Sequence, residues 1–440
     1  MRGYRWLTVP VVIAGVLLAA ACGSSSKSTT PTQAPGGATA PAASSSPSAA
    51  AAPQCNKAPN QTEGVTATEI SIGNTDAYSG PASAYAVIAK AEDAYFKWVN
   101  DQGGVNGRKI KFTSLDDSYS PPKTVEQTRA LVEQDHVFAD FNPLGTPPNT
   151  AIRQYLNDRG VPQIFVAPGA ATWALDHPTY PCTIGWQPNY QSEAIIYGKY
   201  LLANRPDAKV AVLFQNDDYG KDYLKGLKAG LGAKASQMIV KEESYETSEP
   251  DVSPHVTTLK NTGADVFIVV ATPKFAAQAM KAAAQLDWKP LIIDNSVSVD
   301  LNTMKAAGAG ADGVISAAYL KDPSDPAWAS DATVVQYKDI LAKYGSGADP
   351  NNVFNFYGFA VADTLVQAIK QAGQDLTREG LMKAADNMNY TSPYLLPGIT
   401  IHTSDAQKDW APIEEMQLEK YSVAKGSWER FGQVLEGAVR

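Results

Sequence analysis

From residue 66 onward, short strand-like runs alternate with segments whose apolar residues recur at helical spacing, and the alternation passes through two rounds. The first round reads TEISIG, a helix over 83–100 ending near Trp98, the turn QGGVNGR, strand RKIKFTSLDD, and helix PPKTVEQTRALVEQ with prolines where a helix accepts them. HVFADFN, PNTAIRQYLNDRG and VPQIFVAP supply strand, helix and strand. After Trp186 the rhythm restarts with SEAIIYGKYLLAN, AKVAVLFQ, YGKDYLKGLKAGLG, SQMIVKEESY and VSPHVTTLKNTG, then ADVFIVVA, KFAAQAMKAAAQL and KPLIID. Strands alternating with helices bury themselves in a mainly parallel sheet covered on both faces. The expectation is an α/β protein of two similar lobes. Pattern alone does not place the region after residue 315.

Ahead of this body, Arg2 and Arg5 precede the apolar run WLTVPVVIAGVLLAAA and then Cys22. A basic start with a short apolar run reads as a signal peptide over 1–21. LLAAAC resembles a bacterial lipobox, with Ala19 where leucine is commoner, so Cys22 is the expected lipidation site. Residues 23–54 hold one charged side chain, Lys27, among Gly, Ser, Thr, Ala, Pro and Gln. Such a segment has little to bury and reads, over 22–54, as anchor and disordered tether. The net charge of -8 comes without a Lys/Arg cluster, which argues against nucleic acid as a partner. Of three cysteines, lipidation of Cys22 leaves Cys55 and Cys182 to bridge in an oxidising compartment. Two free thiols, or a metal site needing further ligands, are the alternatives.

The run IGNTDAYSGPASAYAVIAKAEDAYFKWVNDQGGVNGRKIKFTSLDDSYSPPKTVEQTRALVEQD resembles the opening of the branched-chain amino-acid (Leu/Ile/Val) binding proteins of ABC importers, which have the type I periplasmic-binding fold. VAPGAATWAL, VAVLFQNDDYGKDYLKGLKAGL and ADVFIVVATPKFAAQAMKAAAQLDWKPLIIDNS continue it in order, and the resemblance spans about 66–432. It implies one cleft between lobes joined by three crossings, near Trp186–Asn189, Ala317–Leu320 and Tyr394–Ile399. The first lobe is then 55–187 plus 320–395, and the second 188–319 plus 396–435.

Candidate ligand contacts follow from both readings. Tyr78 and Ser79, in AYSGP after the first strand, read as a structural turn or as an anion site at a helix start. The resemblance places an aromatic wall at Tyr85, which as a residue one turn into a helix equally suits core packing. It also puts a carboxylate-binding loop at Gly145 and Thr146, where the usual serine is missing, and the loop contacting an amino acid's charged groups at Ala170, Ala171 and Thr172. Trp173 adds a flat surface there. From the second lobe come Tyr219, in DDYG, and Thr272, smaller than the aromatic side chain often found at its place. Where the amino-acid binders carry a glutamate against the substrate ammonium, this chain has Asn295 preceded by Asp294. A desolvated ammonium needs an anionic or well-placed polar partner, so an aliphatic amino acid and an aromatic or alicyclic carboxylic acid both stay open as ligands.

Catalytic and cofactor readings find little support. GAGADG at 308–313 satisfies a dinucleotide glycine pattern but follows a helix and precedes strand VISAAY, the reverse of the required context. His136, His177, His255 and His402 show no metal-ligand spacing, Asp116 and Asp117 read as strand-end and capping groups, and no nucleophile elbow is present. The expectation is a monomeric solute-binding lipoprotein without catalysis, cofactor or metal, held outside the cell membrane by Cys22. The resemblance implies an ABC permease and its ATPases as partners. A sensory receptor of the same fold, or a surface protein without a small ligand, is the alternative.

Overall fold

The computed structural model describes residues 54–437 and 439. The expected signal peptide, Cys22 and all but the last residue of the tether lie outside them. Five parallel strands, β1 Glu69–Asp76, β2 Lys109–Asp116, β3 Ala139–Phe141, β4 Gln163–Val166 and β5 Thr183–Gly185, form the first sheet in the order β2-β1-β3-β4-β5. Helices Val87–Asp101 and Val353–Ala372 cover one face, and Pro121–Glu133 and Thr146–Arg159 pack together over the other.

The second sheet contains β6 Val210–Gln215, β7 Ile239–Tyr245, β8 Val266–Val270, β9 Leu291–Asp294 and β10 Ile315–Ala318. After a small pair in the first lobe, β11 Asn389–Tyr390 and β12 Ile401–His402, the chain adds β13 Glu415–Ser422 and β14 Ser427–Glu436. The order is β14-β13-β10-β9-β8-β6-β7, with β13 and β14 antiparallel to their neighbours. Successive strand side chains point to opposite faces. Thus Val210 and Val212 join one apolar cluster while Ala211 and Leu213 join the other. Val266 and Ile268 against Phe267 and Val269 repeat the division. Strands buried on both faces are therefore continuous apolar runs, and the helices flank them.

The first crossing runs through Trp186–Asn189, where Asn189 caps helix Tyr190–Asn204 by accepting from the Ser192 amide. The second runs through Tyr319–Lys321. Its backbone pairs with Tyr394–Leu396, the Lys321 amide donating to Tyr394 and the Leu396 amide to Tyr319. The expected re-entry into the second lobe at residue 396 is corrected here. Beyond Leu396 the chain stays with the first lobe, because β12 pairs with β11, the Thr403 amide donates to Met388, and the Trp410 ring stacks on His177. It joins the second sheet only at Glu415.

Cys55 and Cys182 form a disulfide with Cα atoms 4.8 Å apart across 127 residues. In the chain-entropy view, closing so long a loop contributes about 5 kcal/mol. The bridge fixes the start of the body to the edge of β5. GAGADG forms a short 3-10 turn, Gly308–Ala311, with Ala311 in the core. Among the described residues no helix is long and apolar enough to cross a membrane.

Candidate functional site

A cavity of about 100 Å³ lies between the lobes, several times what one water molecule requires. Tyr85, Tyr119, Thr146, Phe354 and Tyr357 form its first-lobe side, and Tyr190, Tyr219, Thr272, Val297 and Trp428 its second-lobe side. Gln187 and Ala317–Leu320, from two crossings, close the back. Among the described residues no Lys, Arg or His lines it. Hydrogen bonds that join the lobes include Tyr85 Oη donating to the Val297 carbonyl at 2.8 Å, Gln215 Nε2 to Tyr119 Oη at 3.3 Å, and the Ala171 amide to Asp222 Oδ2 at 2.8 Å.

Two helix starts bring hydroxyls to this space. Gly145 precedes helix Thr146–Arg159 with φ of +92°, and a Cβ there would meet the Tyr119 ring at 2.5 Å. Only glycine suits that conformation and that approach. Pro147 and Pro148 follow Thr146 and supply no amide hydrogen, and no side chain caps the helix. Across the cavity Thr272 precedes helix Pro273–Gln285 without a capping bond from its own side chain. The Oγ1 atoms of Thr146 and Thr272 are both buried and lie beside the Tyr190 and Tyr245 hydroxyls, without a well-aligned hydrogen bond. A ligand bound between the helices can give each hydroxyl a better acceptor.

Tyr85, Gly145, Thr146, Tyr219 and Thr272 thus line one cavity. The other expected contacts lie elsewhere. Ser79 Oγ and its amide donate to Asp116, and Tyr78 Oη donates to Ser114, which keeps both at the end of β2. Ala170 and Thr172 face a separate charged groove with Arg153, Asp176 and Lys221. The loop turns there because the Tyr190 amide donates to Gly169, leaving Ala167 and Pro168 on the cavity. Ala171 makes the lobe contact through its amide, and Trp173 is buried beneath the Arg153 guanidinium, 5.1 Å from its ring centre.

Asp294 and Asn295 lie in the core and do not line the cavity. Asn295 Nδ2 donates to the Val269 and Ala271 carbonyls and its Oδ1 accepts from Tyr219 Oη. Burial raises the Asp294 carboxyl well above the usual carboxylate range. Instead, Ser296 and Val297 reach the cavity from the turn that follows. Glu193, which sequence reasoning passed over, holds this turn by accepting from the Ser296 amide and hydroxyl, and it also accepts from Tyr197 Oη. Its signal was a carboxylate within the apolar helix SEAIIYGKY. Burial raises its pKa, and the hydrogen bonds from Ser296 and Tyr197 oppose that rise. The acids on the cavity are Asp322 and Glu419, both raised by burial, and Asp322 adds to the rise at Glu419.

A family model described as periplasmic binding protein matches residues 69–418. The chain is 26% identical over 307 residues to Leu/Ile/Val-binding protein homolog 1 of Brucella abortus (strain 2308), covering 68% of this chain and 78% of that protein. A branched chain amino acid ABC transporter protein from Thermus thermophilus with bound valine superposes with TM-score 0.73 at 18% identity, over 84% of this chain and 97% of the other. A solute binding protein of an R. palustris ABC transporter in complex with benzoate gives TM-score 0.69 at 19% identity, over 83% and 96%.

Proposed function

This chain belongs to the periplasmic binding protein family, whose members bind solutes and do not transform them, and from that premise we propose that it serves an ABC importer by capturing a small carboxylate with an aromatic or alicyclic body. The observation that carries this reading is the pair of buried threonine hydroxyls, one per lobe, in an aromatic cavity that has no basic side chain among the described residues. Helix N-termini with hydroxyl donors favour a negative group and need no cation beside it. Tyr85, Tyr190, Tyr219 and Phe354 offer flat faces to the remainder of the ligand. The benzoate held by the R. palustris protein is a ligand of this chemistry.

Closure removes water from these donors and brings together Thr146 and Thr272, so the closed form reports occupancy to a membrane permease and its ATPases. Cys22 anchors the chain outside the membrane in this reading, with residues 23–54 as the tether. A branched-chain amino acid is the second reading, favoured by Asp322 and Glu419, which give an ammonium group two carboxyls at the cavity edge.

Thermal unfolding of ligand-stripped protein distinguishes the two. Benzoate, cyclohexanecarboxylate and 4-methylpentanoate are compared with leucine, valine and the uncharged benzamide. A ligand at a hundred times its Kd adds about 2.7 kcal/mol to apparent stability. Stabilisation by the acids and not by leucine, valine or benzamide is expected. Stabilisation by leucine and valine alone transfers the site to the amino-acid reading.

A further inference from the structure

Away from the cleft, three segments of the first lobe bring His177, Asp386 and Asp405 together, with one ligand-type atom from each within 4.8 Å of the others. His177 precedes β5, Asp386 ends helix Arg378–Ala385, and Asp405 lies in the excursion that delays the third crossing. We propose that these residues form a binding site for a divalent transition-metal ion such as Zn²⁺, which clamps the excursion to the first lobe.

The imidazole is set for this role. His177 Nδ1 lies 2.9 Å from the Thr183 carbonyl and donates its hydrogen there, which makes Nε2 the nitrogen that faces the carboxylates. Nε2 is 3.4 Å from Asp386 Oδ2, an ion-pair contact rather than a well-aligned hydrogen bond, and Asp386 Oδ1 has no partner. His177 is fully buried and Asp386 is 4% exposed, so water does not satisfy them. Asp405 is held from outside, its oxygens accepting from Trp410 Nε1 at 2.8 Å and Asn387 Nδ2 at 3.2 Å. A metal-ligating histidine commonly donates its other N–H to a carbonyl, and ligating carboxylates are themselves hydrogen-bonded. The Trp410 ring, 4.7 Å from the imidazole centre, shields one side.

One nitrogen and two carboxylates suit a first-row divalent ion, with bonds of about 2.0–2.2 Å. His255 offers a useful contrast: both its nitrogens lie within hydrogen-bond distance of carboxylates, Glu243 at 3.2 Å and Glu249 at 2.9 Å, and it belongs to no cluster of three ligand-type residues among the described residues.

The test is zinc titration of chelator-treated protein against a chromophoric chelator, with thermal unfolding in parallel. One equivalent of Zn²⁺ is expected, together with a rise in melting temperature. Asp405→Asn should weaken binding at least about tenfold and lose most of that rise, and His255→Ala should leave both unchanged. His177→Gln provides a second variant should Asp405→Asn unfold. Absence of uptake by the unaltered protein, equal uptake by Asp405→Asn, or loss of uptake in His255→Ala would each overturn the proposal.

Discussion

In the proposed reading, Thr146 and Thr272 present buried hydroxyls to the ligand from the cavity wall. Removing such a group while keeping its shape separates binding from folding, because no well-aligned internal hydrogen bond is lost with it. Thr146→Val and Thr272→Val should each weaken binding of the acid about tenfold, equivalent to about 1.4 kcal/mol. The melting temperature of ligand-free protein should hold or rise. Calorimetric titration and unfolding of the same samples check both statements, and a fall in stability without a fall in affinity would move the threonines into a structural role. Tyr85, Gly145, Thr146, Tyr219 and Thr272 were placed on the cleft by the family resemblance, and all five line the cavity. Tyr190, Tyr319 and Tyr357 were not placed there, since an aromatic side chain facing a cavity and one filling a core look alike in sequence. Asp294 and Asn295 were misplaced for a related reason: Asn295 spends its amide on the carbonyls of Val269 and Ala271, long-range partners that strand spacing does not disclose.

At the scale of elements, the second lobe depends on backbone contact between helices Tyr190–Asn204 and Asp218–Leu231. A Cβ on Gly226 would lie 2.3 Å from the Gln191 carbonyl oxygen, and one on Gly198 would lie 2.7 Å from the Gly230 backbone. Alanine gains about 1 kcal/mol of helix propensity over glycine, but neither neighbour is a side chain able to turn away. Overpacking costs typically 1–3 kcal/mol, and backbone against backbone belongs at the upper end. Gly226→Ala should therefore lower stability by about 1–2 kcal/mol net, seen as a lower urea midpoint at unchanged slope. An unchanged midpoint would mean that the helices slide apart at little cost. The alternating strands were readable because each lies between two helix layers. Helix Val353–Ala372 was not, since Phe354–Leu365 is buried on every side and shows no polar face to set a period. The late third crossing escaped for want of any local signal; it is fixed by β11–β12 pairing and by Trp410 on His177.

For the whole molecule, two lobes share one cavity, and each supplies one of its buried threonine hydroxyls. Tyr85 to Val297, Tyr119 to Gln215 and Ala171 to Asp222 hold the closed arrangement. Part-buried hydrogen bonds of this kind contribute about 0.5–1.5 kcal/mol each, enough to favour closure and too little to enforce it. A ligand that touches both threonines binds the closed form better and shifts the population toward it. Small-angle X-ray scattering of ligand-stripped protein, with and without saturating benzoate, measures this directly. The account predicts a smaller radius of gyration on addition of benzoate, and no such change in the Thr146→Val, Thr272→Val double variant at the same concentration. Calorimetrically proven binding with an unchanged scattering curve would contradict capture by closure.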